Sequence, residues 1–166
     1  MSHGIIFQAW WPFLAGIPKD IIKELDNLVG TWEVEGKIGD LTQTGSFTCR
    51  WARSENKKKV CLIGRFSYKT GDKVRSGVTL LGWNAAKECI EDRGFDANGG
   101  NTTLRWTIKS STMWQGDMIT FEDGKEVKSE VVLVKKGPSE IVMESESEAG
   151  DVARFVFRKV KDEGKR

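Results

Sequence analysis

Glu91, Asp92 and Arg93 form the one internal cluster of acidic and basic side chains within a stretch that reads as a strand. Two carboxyls can act as general acid and general base where burial separates their pKa values. These three residues are therefore the candidates for carboxylate chemistry of an isomerase, cyclase or hydrolase kind. Because neighbours on a strand point to opposite faces, one cavity cannot hold all three.

Other familiar chemistry is mostly excluded. The sequence has a single histidine, His3, which rules out Ser-His-Asp and Cys-His relays, zinc held on several imidazoles, and a histidine-ligated haem inside the folded body. Cys49, Cys61 and Cys89 lack CxxC or metal-ligand spacing. Cys49 and Cys61 could meet across a hairpin as a disulfide; the alternative is three reduced cysteines, small buried hydrophobes of a cytoplasmic protein. No metal and no cofactor is expected. Arg50, Arg65, Arg93 and Arg105 fall within strands rather than turns. Each could clamp a carboxylate through two parallel N–H donors or lie outside beside acidic neighbours. Arg65, between Gly64 and Phe66, is the one that a bulge could turn inward.

Lys and Arg number 26 against 24 Asp and Glu, a formal charge of +2, so no strong field is available to hold nucleic acid. Lys57, Lys58 and Lys59 read as a solvated hairpin tip. With 166 residues, 39% hydrophobic and 30% charged, the composition is that of one globular domain in water.

The elements that must position these groups follow from periodicity. Pro18 suits the first turn of a helix. Ile21, Leu25 and Leu28 then recur at helical spacing above a wet face of Lys19, Asp20, Lys23, Glu24 and Asp26. An amphipathic helix is expected over 18–29, closed by Gly30 in a left-handed cap. Beyond Gly30 the apolar period becomes two and stays so to about residue 160, in ten short runs. Turn signals separate them, among them Gly39-Asp40, Gly71-Asp72, Asn98-Gly99-Gly100, Asp123-Gly124 and Gly150-Asp151. Ten strands joined by tight turns describe an antiparallel meander. The expected fold is a mainly β, up-and-down barrel over 18–160, since closure removes exposed edges, followed by a C-terminal tail at 161–166.

Leu28-Val29-Gly30-Thr31-Trp32-Glu33, placed after a short helix at the start of the first strand, resembles the G-x-W entry of the calycin superfamily. That group includes lipocalins, intracellular fatty-acid-binding proteins and nitrobindin-like barrels. Gly36 adds to the match, and Leu81-Gly82-Trp83-Asn84 and Arg105-Trp106 resemble pieces of bacterial lipocalin-like domains. The resemblance implies that Trp32 seals one end of a barrel and that a basic residue of the last strand, Arg154 or Arg158, covers its ring by a cation–π contact. Two features depart from the family. Gly39 to Gly45 is too short for the helix-turn-helix of fatty-acid-binding proteins, and the late haem-ligating histidine of nitrobindin-like proteins is absent.

A small barrel is either filled by side chains or holds one small ligand. With Trp32 inward, the inner faces should carry Phe47, Cys49 and Trp51; Leu104, Trp106 and Ile108; Val131 and Leu133; Ile141 and Met143; Phe155 and Phe157. Trp51, Trp106, Met143, Phe155 and Arg65 are the candidate ligand-binding residues; alternatively the apolar ones simply fill the core. Gly64, Gly77, Gly82 and Gly116 interrupt strands and mark bends, bulges or close packing against large side chains. The expected function is non-catalytic binding of a small apolar or amphipathic molecule. The alternatives are a carboxylate enzyme in the same barrel and an oligomerising interaction module.

Residues 5–17 stand apart: ten of the thirteen are apolar, including Phe7, Trp10, Trp11 and Phe13. In water they would forfeit on the order of 10 kcal/mol, so the segment should cover the barrel mouth as a lid or form a two-fold interface with a second copy. A membrane surface is the weakest of its possible partners, because no basic residues flank it.

Overall fold

A computed structural model describes residues 16–122 and 124–161. After helix α1 (Lys19–Asp26), ten strands follow without interruption. They are β1 (Gly30–Ile38), β2 (Leu41–Arg53), β3 (Lys59–Thr70), β4 (Lys73–Asn84), β5 (Cys89–Asp96), β6 (Asn101–Ser110), β7 (Met113–Glu122), β8 (Lys125–Lys135), β9 (Glu140–Ser147) and β10 (Val152–Lys159). Each pairs antiparallel with the next, and β10 closes on β1, Val34 lying opposite Phe157, so the sheet is a continuous barrel. The expected up-and-down barrel of ten strands with a preceding helix is the fold observed. Residues 5–15, including Phe7, Trp10, Trp11 and Phe13, and the tail at 162–166 lie outside the described residues; Ile17 packs against the helix end of the core.

The turns need backbone shapes that L side chains resist, and glycine supplies them. Gly39, Gly71, Gly99, Gly124 and Gly150 all have positive φ between 56° and 87°. All five sit at one end of the barrel, the open rim. At the other end α1 lies across the mouth, burying Ile21 and Leu25 against Trp32, Leu62, Trp106 and Trp114. This apolar layer is the floor.

The helix is shorter than its periodicity suggests. It stops at Asn27 in ordinary right-handed geometry, and Gly30, at φ 137°, opens β1 instead of capping α1. The intervening turn leaves the Leu28 carbonyl free to accept the Trp32 indole N–H at 2.9 Å. Two further indoles are tied to the helix in the same manner: Trp51 donates to Asp26 at 2.6 Å and Trp114 to Glu24 at 3.3 Å. A lysine lies over each of these rings, Lys159 over Trp32, Lys59 over Trp51 and Lys135 over Trp114, at 5.2, 4.9 and 5.4 Å from the centroids. Lys59 and Lys135 also pair with the same helix carboxylates, Asp26 and Glu24. The bonds to Asp26 and Glu24 clamp the plug to the strands, and the three tryptophan–lysine contacts tie neighbouring strands together around it.

Candidate functional site

Strand alternation and glycine placement together decide what occupies the barrel centre. At Gly36 a Cβ would strike the ring of Phe155; at Gly45, Gly77 and Gly116 it would strike a backbone carbonyl of a neighbouring strand and then Tyr68, Phe66 and Trp106; at Gly64 it would strike the Thr79 methyl and then the Phe47 ring. These rings pack close to the wall because the residue beneath has no side chain, which is the close-packing role expected of Gly64, Gly77 and Gly116. Rings seated this way line the barrel without filling it. A cavity of about 340 Å³ remains, running from Leu28, Trp32 and Trp114 at the floor to Ile38, Phe95 and Thr120 near the rim. The rim exposes Ile38, Leu41, Val74, Phe95 and Val152 beside the Arg75–Asp96 pair.

Gly94 differs from the ring-bearing glycines. A Cβ there would meet nothing nearer than 3.8 Å, although the residue lines the cavity. Its open space belongs to the chamber.

Of the polar groups in the wall, Asp92 is the most consequential. Its carboxylate accepts a hydrogen bond from the Thr79 hydroxyl on β4. The half-buried side chain is part of the cavity lining. To a charge the position is interior, and burial pushes the carboxyl up to about 7. Two titratable groups feel its charge from β3 and β2. The Tyr68 phenol is pushed up by burial and then by the Asp92 charge. Burial, followed by the same charge, pushes the Cys49 thiol up to about 12. Both are neutral throughout the physiological range.

At the rim Arg75 donates to Asp96 at 2.6 Å, and Asp96 also accepts the backbone N–H groups of Asn98 and Gly100 at 2.8 and 2.9 Å. Burial alone would raise the Asp96 carboxyl, but these donors hold it below its ordinary value. The group is thus committed to shaping the β5–β6 turn.

The trio at 91–93 is divided by alternation. Asp92 points inward, whereas Glu91 and Arg93 are on the outer face. Glu91 meets Lys87, Arg93 and Arg105 at 2.8, 3.2 and 3.4 Å, and the Lys87 hydrogen bond leads the interactions that hold it, against burial, at about 2. No carboxylate pair forms across the cavity from this cluster.

Trp106, Met143 and Phe155 line the cavity. Trp106 lies toward the floor, edge-on to Trp114 at 6.0 Å. Trp51 has the inward phase but stands below the floor, beside Asp26 and Lys59. Arg65 is exposed: β3 keeps regular register there, and the irregularity on its partner falls at Ala52/Arg53. Arg154 and Arg158 have the outward phase and pair with Glu144 and Glu35 at 2.9 and 3.3 Å. The last-strand cation over Trp32 is instead Lys159, the direct register partner of Trp32. Glycine at position 30 makes room for it, since a Cβ there would meet the Lys159 Cε at 2.6 Å.

Sequence reasoning did not single out Tyr68, Thr79 or Lys159. The phase of Leu62, Leu81 and Phe157 respectively would have placed each inside. Cys49, Cys61 and Cys89 are free thiols. Among the described residues no group of His, Cys, Asp or Glu could hold a metal ion, and no helix is long and apolar enough to cross a membrane.

No protein-family model matches the chain, and no curated protein matches it. Several solved barrels are similar in structure. The S-type phycobiliprotein lyase CPES from Guillardia theta superposes with a TM-score of 0.59 at 11% identity, over 86% of this chain and 94% of that one. The redesigned β-barrel mFAP1, bound to DFHBI, gives 0.45 at 15% identity over 82% and 98%. A de novo designed fluorescence-activating β-barrel gives 0.47 at 13% identity over 82% and 96%. The likeness to CPES is one of fold.

Proposed function

We propose that this barrel binds a small apolar or amphipathic molecule in its central cavity and releases it unchanged, as a calycin-like carrier of the cytoplasm. The observation carrying this reading is the chamber of about 340 Å³ whose aromatic wall is seated on glycines. Its size is at the lower end of the range for small-molecule sites, and its largely apolar lining with a few convergent polar groups is typical of them. The exposed apolar side chains of the rim support entry of such a molecule from the open end. Met143, Phe155 and Trp106 belong to the binding wall in this reading, joined by Phe47, Phe66 and Tyr68. Residues 5–17 serve as a lid or as the contact to a second copy.

Native mass spectrometry of the purified protein, followed by solvent extraction, tests the proposal. A bound mass that is lost on extraction, and that is absent from a Gly94→Ile variant, is the expected result. A protein that is empty, and that takes up no apolar probe, would remove it.

One observation favours a second reading, acid–base catalysis: Asp92 is a cavity carboxyl poised near neutrality. Since Glu91 faces outward, the reaction would rest on one carboxyl alone. Recovering the extracted molecule chemically unchanged after prolonged incubation with the protein would exclude it.

A further inference from the structure

We infer that the molecule taken by this cavity carries an amine, and that its protonated nitrogen is received by Asp92. The inference rests on the ligand-binding reading above and specifies the chemistry of the ligand. Asp92 lies four residues below Asp96 on β5, about 13 Å along the strand from the rim. One of its oxygens accepts from Thr79, and the half-buried side chain is part of the chamber lining. Tyr68, within reach of the Asp92 charge, is stacked on Phe66 at 5.2 Å.

No cation shares that depth. The one cationic residue in the cavity lining is Arg75, at the rim and bonded to Asp96. Lys59, Lys135 and Lys159 are below or within the floor, over the indoles of Trp51, Trp114 and Trp32. A fatty carboxylate entering this chamber would meet an acid and no deep base. An ammonium group would meet a carboxylate in a low-dielectric site, where a charge-assisted hydrogen bond is strong. Its apolar body would lie against Phe47, Phe66, Met118 and Met143.

The pH dependence has one titrating partner in the wall. Tyr68 and Cys49 feel the Asp92 charge from β3 and β2 and stay neutral, Thr79 on β4 does not titrate, and Leu104 opposite Asp92 on β6 is apolar. An amine is protonated up to about pH 10. Amine affinity should therefore rise as pH increases from 5 to 8 and Asp92 ionises, and level off above that.

The test is calorimetric titration of the full chain with decylamine, decanol and decanoate at pH 5 and pH 8, using the natural protein and the Asp92→Asn variant. At pH 8 decylamine should bind about tenfold to a hundredfold more tightly than decanol, the range expected of a hydrogen bond to a charged group, and decanoate more weakly than either. Asp92→Asn should abolish the preference for decylamine over decanol, and an unchanged tryptophan emission reports that the variant is folded. Decanol binding with no preference for the amine, or an amine preference that survives Asp92→Asn, overturns the inference and leaves the cavity reading standing. If none of the three probes binds, the cavity reading fails and the inference falls with it.

Discussion

Replacing Asp92 by Asn should stabilise the empty barrel at neutral pH, and the size of the effect follows from the site. The carboxyl has an ordinary value of 3.8 and is raised to about 7 by burial. Between those two values the unfolded chain has released the proton and the folded protein still holds it. The folded state then binds more protons, so stability falls as pH rises through the window, by about 1.4 kcal/mol per pH unit, and levels off above pH 7. Across roughly three units the loss approaches about 4 kcal/mol, an upper bound because polar groups and water in the chamber can relax around the charge. Asparagine cannot ionise, and its side-chain oxygen can still accept from Thr79. Urea unfolding followed by tryptophan fluorescence at pH 5, 6, 7 and 8 measures the difference. The variant's advantage over the natural protein should grow from pH 5 to 7 and then hold constant. An advantage that is the same at all four pH values would show that Asp92 does not titrate in this window, and would refute the reasoning.

Gly94→Ile should abolish decanol binding and keep the melting temperature within a few degrees, because the new side chain enters open space. Gly64→Ala should cost about 1–3 kcal/mol in urea unfolding, since its Cβ would strike the Thr79 methyl and the Phe47 ring. Lys135→Met strands the largely buried Glu24 carboxylate and should cost about 3–5 kcal/mol, much of it recovered in the double variant Lys135→Met/Glu24→Gln, as thermal melts would report. Removing residues 1–17 should change either the solution mass in sedimentation or the melting temperature of the barrel. If both stay the same, the segment is neither lid nor interface.

The fold was legible because one rule governs most of the chain. Once Trp32 is taken as inward, period two correctly sorts Phe47, Leu104, Trp106, Val131, Ile141 and Phe157 to the inner face, and tight turns force an antiparallel meander that closes. The same rule, applied strictly, also sorts Glu91 from Asp92 and puts Arg65, Arg154 and Arg158 outside. What it cannot supply is depth along the barrel axis. Trp51 has the inward phase yet ends below the floor, because β2 extends past α1 and Asp26 takes its indole N–H. Nor does a one-dimensional pattern show that Gly36, Gly45, Gly64, Gly77 and Gly116 each receive a ring from elsewhere in the sheet. That arrangement separates a barrel with a chamber from one filled by its own aromatics. The importance of Asp92 depends on it, since a carboxyl facing solvent would titrate near 4.

Binding inside the barrel is tested most directly by mapping amide and methyl chemical shifts by NMR as decanol is added to the full chain. The account predicts that the largest changes fall on inward residues at the depth of the chamber, Thr79, Asp92, Gly94, Met118 and Met143, and that Gly94→Ile removes them. Changes confined to the exposed outer residues Val78 and Leu80, with the inward set unmoved, would contradict it.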